Sequence, residues 1–157
     1  MKKNPITAEG LERLKEELKR LTVEERPAII RAIAEAREMG DLSENAEYHA
    51  ARDRQSFVEG QVTELEDKIR RAEVIDVSKL SGKRIQFGAT VRIEDVESGD
   101  RKTYQIVGAD EADVENGRLS IIAPLARSLI GKSTDDYVDI STPGGIKEYE
   151  VIKVTYK

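Results

Sequence analysis

The chain has 157 residues, 36% charged and 38% hydrophobic, with a formal net charge of −5 at pH 7. That length allows one domain or two small ones, and the absence of cysteine excludes a disulfide framework, a thiolate nucleophile and a Cys-based zinc site. The negative balance argues against broad, sequence-independent binding to nucleic acid, so any such contact is local or made through a partner.

With two Phe, five Tyr and no Trp, the core must be built from Ala, Leu, Ile and Val, which suits a coiled coil and a small sheet. No apolar run approaches the length of a membrane span and no signal-peptide pattern opens the chain. A soluble cytoplasmic protein with no membrane partner, monomeric in solution, is the expectation.

Residues 1–6 read as a short lead. Thr7 is a candidate N-cap, and Leu11, Leu14, Leu18 and Leu21 follow at the 3-4-3 spacing of a coiled-coil seam. The register then fails: the next heptad position is Glu25, whereas the next large apolar residues are Ile29, Ile30 and Ile33. Pro27 and a Thr22-Val23-Glu24-Glu25 capping box sit between them, so a kink or break is expected at 22–27, with helix resuming to about Met39. Gly40 ends the arm.

The stretch Gly40-Asp41-Leu42-Ser43-Glu44-Asn45 is the turn between the arms. Asp41 as N-cap and Glu44 as its N3 partner match a capping box. Beyond it Tyr48, Ala51, Gln55, Val58, Val62, Leu65, Ile69 and Ala72 continue a seam. Each arm, Thr7 to Met39 and Glu44 to Asp76, spans 33 residues, or roughly 50 Å of helix. Residues 77–83 lose the helical period and read as a linker. Period-2 alternation takes over in Ala89–Glu94 and Lys102–Val107, with turn residues Ser98-Gly99-Asp100 between them. Asn116-Gly117 precedes a short strand at Leu119–Ile122, a helix covers Pro124–Ile130, and Tyr137–Ile140 and Tyr149–Val154 flank a Pro143-Gly144-Gly145 turn. The fold class is therefore α+β: a long N-terminal antiparallel α-helical coiled-coil hairpin (1–76, tip at 40–45), then a linker (77–83), then a small, mostly antiparallel β-sheet domain with one short helix (84–157).

Two carboxylates on one exposed turn can share a Mg²⁺ ion, which is hard and is often held by one or two carboxylates while it keeps several waters. Two alone bind weakly, so further ligands would come from a partner, in the manner of two-metal phosphoryl chemistry. On spacing alone, helix capping is the commoner use of such a pair. Arg37, Arg52 and Arg54 flank the turn and either contact phosphates of a single strand or form a solvated face balanced by Glu38 and Asp53. His49 is the only histidine and has no zinc or triad partner. Tyr48 is a packing residue or a base-stacking one. The Ser120–Leu125 run, with Ile122, Pro124 and Leu125, is either a buried strand or a docking surface. No GxGxxG, GxxxxGK[ST] or HExxH motif is present.

The stretch Ala34–Arg52, together with Gln105-Ile106-Val107-Gly108, Pro124–Lys132 and Thr142–Gly145, resembles the signature of the GreA/GreB family of bacterial transcript cleavage (elongation) factors, and the likeness runs the length of the chain. The resemblance implies an accessory factor rather than an autonomous enzyme. Its coiled coil would enter the secondary channel of a backtracked bacterial RNA polymerase, and its C-terminal domain, similar in fold to FKBP, would dock at the channel rim. Asp41 and Glu44 match the family's tip carboxylates, implying a Mg²⁺ shared with the polymerase active site and no tightly bound cofactor of the chain's own. Arg37 and Arg52 match the small basic spot said to guide the RNA 3′ end, and Ile122, Pro124 and Leu125 fall in the docking segment. The larger basic patch of the GreB branch is not evident, so short products are expected. The alternatives are a channel-occupying regulator that does not promote cleavage, a plain coiled-coil adaptor and a free-standing ribonuclease.

Overall fold

The computed structural model describes residues 3–41 and 44–156; Met1, Lys2, Leu42, Ser43 and Lys157, parts of the domain ends and the tip stretch named above, lie outside the described residues. The chain divides into two compact units. One is a helical hairpin from Glu12 to Arg71, and the other comprises Lys2–Leu11 with Ala72–Lys157. The α+β class stands: helices α1 (Ala8–Arg20), α2 (Arg26–Arg37) and α3 (Ala46–Arg71) precede a sheet with one short helix, α4 (Pro124–Leu129).

In the hairpin, Leu21, Ile29, Val58 and Val62 are buried together, with Leu18, Ile33 and Leu65 packed around them. The kink or break expected at 22–27 corresponds to an interruption of the α-helix at Leu21–Glu25, with no break in the helical path. Leu21–Glu25 form a π turn, closed by the Arg26 N–H donating to the Leu21 carbonyl, and the flanking residues Arg20 and Arg26 keep helical angles. A π turn carries an extra residue. That residue shifts the seam positions 28, 32 and 35 to Ile29, Ile33 and Ala36, which explains the jump in the apolar spacing after Leu21. Pro27 sits in the first turn of α2, where its missing N–H costs little. Thr22 is not a cap: its hydroxyl donates back to the Leu18 carbonyl at 2.9 Å. Across the hairpin Arg26 grips Glu59 through two hydrogen bonds of 2.7 and 2.9 Å, and Arg54 meets Glu25 at 2.5 Å.

In the second unit, strand β1 (Asn4–Thr7) lies parallel to β2 (Ala72–Ile75). The lead and the end of the second seam are thus strands, because Ile6, Val74 and Ile75 find a β partner there rather than a helical one. The division accordingly falls at Arg71/Ala72, and residues 3–11 group with the residues after it. Val77–Lys79, read as linker, form a 3₁₀ turn capped by Asp76 with Val77 buried. Five further strands, β3 (Thr90–Asp95), β4 (Arg101–Val107), β5 (Arg118–Ser120), β6 (Tyr137–Thr142) and β7 (Gly145–Thr155), form a sheet ordered β5-β4-β3-β7-β6. All its pairings are antiparallel except β4 with β5. Val91 and Ile93 alternate inward onto Ile106, Val151 and the α4 residues Ala126 and Leu129.

Thr7 caps α1 as expected, its hydroxyl oxygen accepting the Gly10 N–H at 3.0 Å. The same residue donates from its N–H (2.7 Å) and from its hydroxyl to the buried carboxylate of Glu111. Gly10 makes room for that carboxylate, since a Cβ there would lie 2.6 Å from the Glu111 Cδ.

Candidate functional site

α2 runs out at Arg37, and Glu38 and Met39 donate to the carbonyls of Glu35 and Ala36 to close its last turn. Gly40 follows at φ 127°, a backbone setting that side-chain-bearing residues rarely adopt. Asp41 and Glu44 are both exposed, and the Glu44 N–H donates to the Asp41 carbonyl at 3.3 Å. Their position at the end of a rigid rod follows from the two helices that carry them.

The N-cap of α3 is not Asp41. Asn45 takes that role, its Oδ1 accepting the Tyr48 N–H at 3.0 Å, while its Nδ2 donates to the Ala36 carbonyl at 2.6 Å. The capping-box spacing of Asp41 and Glu44 pointed elsewhere. The available signal was an Asn immediately before Ala46, where helix α3 begins.

Asp41 and Glu44 line one open concavity of about 400 Å³ with Met39, Asn45, Ala46 and Glu47. Glu47 is a third acid at this rim that sequence reasoning passed over. Among the described residues no three His, Cys, Asp or Glu side chains stand together as a metal site. The all-oxygen donors of Asp41 and Glu44 suit a hard cation such as Mg²⁺, and their number fits an ion completed by ligands from elsewhere.

The basic candidates separate. Arg37 and Arg52 converge on Tyr48, their guanidinium carbons 5.9 and 6.0 Å from the ring centroid, and Arg52 donates to the phenol oxygen at 3.3 Å. Hydrogen bonding from Arg37 first, then from Arg52, holds the Tyr48 phenol below its ordinary pKa. Arg54, by contrast, is drawn to Glu25. His49 stacks edge-on against Tyr48 at 5.6 Å. In the second unit Ile122 is 60% exposed and Pro124 is exposed, while Leu125 is half-buried against the core, so the Ser120–Leu125 run leaves β5 at Ser120, turns at the surface and enters α4 at Pro124.

Two family models account for nearly the whole chain. Residues 4–74 match "Transcription elongation factor, N-terminal", and residues 80–156 match "Transcription elongation factor, GreA/GreB, C-term". The chain belongs to the GreA/GreB family. A GreA/GreB relative from Phenylobacterium zucineum, described as transcription elongation factor GreA, is 60% identical over 156 residues, 99% of each chain. Another of that description, from Beijerinckia indica, is 59% identical over 157 residues, 100% of each. A solved structure, the GreA factor homolog 1 (Gfh1) protein of Thermus thermophilus, is 28% identical with a TM-score of 0.45, covering 98% of this chain and 99% of that one. As a GreA/GreB member the chain is a transcription elongation factor, and among its described residues no helix is long and apolar enough to cross a membrane.

Proposed function

We propose that this factor acts on bacterial RNA polymerase stalled on backtracked RNA. Its hairpin inserts into the polymerase's secondary channel and stimulates the polymerase's intrinsic, Mg-dependent cleavage of the extruded transcript. The observation that carries this reading is the pair of exposed carboxylates, Asp41 and Glu44, in one concavity at the end of a helical rod. In this reading the factor is accessory and completes another enzyme's site.

In this reading Asp41 and Glu44 hold a Mg²⁺ together with carboxylates of the polymerase. When bound, that ion supplies a Lewis acid for the RNA phosphate and a water of lowered pKa. The chain's own residues do the rest of the positioning. The two carboxylates accept the protons of the attacking water as hydrogen bonds and so orient it. Arg37 and Arg52, gathered on Tyr48, offer paired guanidinium groups to phosphates of the RNA 3′ segment. Ile122 and Pro124, with Leu125 beneath them, supply an apolar spot for docking at the channel rim.

The test uses stalled, backtracked elongation complexes carrying 3′-labelled RNA, with wild-type factor and a D41N/E44Q variant in parallel. Release of short 3′ fragments by wild type alone, with equal polymerase binding by both, is the expected result. Equal stimulation of cleavage by the two proteins returns the carboxylates to a local structural role, and binding by both without cleavage by either leaves a channel-occupying, non-cleaving regulator as the reading.

A further inference from the structure

An antiparallel hairpin leaves two sets of backbone groups without helical partners at its tip: the last carbonyls of the incoming helix and the first N–H groups of the outgoing one. Here one side chain reaches both ends, joining the Met39 N–H on the Ala36 carbonyl and supplying the acceptor for the Tyr48 N–H. The Asn45 amide donates to the Ala36 carbonyl in the last turn of α2 (2.6 Å) and accepts from the Tyr48 N–H in the first turn of α3 (3.0 Å). Ala36 is a buried member of the shifted seam, so the donor end of this amide is anchored in the packed part of the hairpin.

Only an amide of this length can make both bonds. Aspartate accepts but has no donor, serine caps but is too short to reach across, and alanine does neither. Asp41 and Glu44 both lie between the two residues that this amide joins, Ala36 and Asn45. Glu44 is the immediate neighbour of the clamp, and its N–H ties it to Asp41. The clamp also fixes the backbone of Tyr48, the residue on which Arg37 and Arg52 converge.

We infer that Asn45 is a positioning residue, an amide clamp across the hairpin that sets where the two tip carboxylates stand. The inference rests on the proposed role of Asp41 and Glu44, and it adds that their geometry is fixed by a hydrogen-bonded crosslink rather than by helix capping alone. Catalytic groups on an unclamped loop spend part of their time out of position, and a displacement of about 1 Å can lower a rate by roughly 100-fold.

The test separates the two arms of the clamp. N45D keeps an acceptor for the Tyr48 N–H and loses the donor to Ala36, and N45S keeps a neutral cap. Polymerase binding, RNA cleavage at saturating factor across a Mg²⁺ titration, and amide hydrogen exchange at Glu44 and Tyr48 are measured beside wild type and D41N/E44Q. The inference expects both Asn45 variants to bind polymerase like wild type, to cleave between roughly 10- and 100-fold more slowly at saturation, and to need more Mg²⁺ for half-maximal rate. In N45D the Tyr48 amide stays protected while the Glu44 amide exchanges faster. Wild-type cleavage by N45D and N45S, with D41N/E44Q inactive, overturns the clamp and leaves the carboxylate reading intact. Loss of cleavage that follows loss of binding and is restored by more factor also overturns it, because that is how a purely structural cap behaves. If D41N/E44Q itself cleaves like wild type, the carboxylate reading fails and the inference falls with it.

Discussion

Two arginines brought to one tyrosine repel each other unless something between them accepts their protons. The Tyr48 phenol oxygen does so, and its ring face adds a cation–π attraction for each guanidinium. An electrostatic arrangement of this kind has a titration signature. In the folded protein the Tyr48 phenol ionises below the ordinary tyrosine range, and Arg37 is the larger contributor. Titration of the Tyr48 ring by NMR should therefore show R37A raising the midpoint more than R52A does. Equal shifts, or none, would remove Tyr48 as the organiser of the pair. At this scale the acidic pair was legible because Asp41 and Glu44 sit at a glycine-marked turn between two seams. Asn45 was not, because Asp41 and Glu44 already satisfy the capping-box spacing just before it. The start of α3 is chosen by how it packs on α2, which a spacing rule does not contain.

Among the elements, the hairpin owes part of its register to ion pairs that bridge its arms. Arg26 holds the Glu59 carboxyl below the usual glutamate range, and Arg20 does the same to Glu17 along α1. In the acid window below the ordinary glutamate pKa the unfolded chain binds protons that these folded carboxylates refuse, so stability rises with pH through that window. The contribution is complete above the ordinary value and is lost as pH falls through the depressed one. Thermal midpoints of wild type and R26A, measured from neutral pH into that window, should converge as the pH drops, and high salt should narrow the gap at neutral pH because these groups are exposed. A gap that widens in acid would contradict the assignment. The two arms and their seams were legible from apolar spacing. The π turn was not: Pro27 and Thr22-Val23-Glu24-Glu25 imitate a helix boundary, and a single extra residue in a continuous helix shifts a heptad pattern just as a break does. The strand at Ala72–Ile75 was equally hidden, because its partner lies 68 positions earlier, at Asn4–Thr7.

For the whole molecule, the consequential contact is the one joining Thr7 and Gly10 to Glu111, about a hundred positions later. Gly→Ala in a helix ordinarily gains roughly 1 kcal/mol. At Gly10 the new methyl would press on a buried carboxylate tethered by two hydrogen bonds, and overpacking of that kind costs about 1–3 kcal/mol. G10A should therefore lower the unfolding midpoint in the wild-type background. The sign should reverse in an E111A background, where the space is free and only the helix preference remains. Calorimetry of the four proteins of that cycle decides the point, and a stabilising G10A in the wild-type background would show that Glu111 yields without loss. The division into a helical unit and a β unit was legible from the change of period near residue 77. The allegiance of residues 3–11 was not, since a four-residue strand and one buried glutamate leave no mark on composition.

That allegiance makes the β unit discontinuous in the chain, with the hairpin spliced into it between Leu11 and Ala72. Its first and last parts start out separated by a flexible span of some sixty residues, and bringing such distant ends together carries an entropic penalty that grows with the length of chain between them. Once folded, the hairpin replaces that flexible span with a fixed one between Leu11 and Ala72. Pairing of β1 with β2 is therefore expected to follow formation of the hairpin.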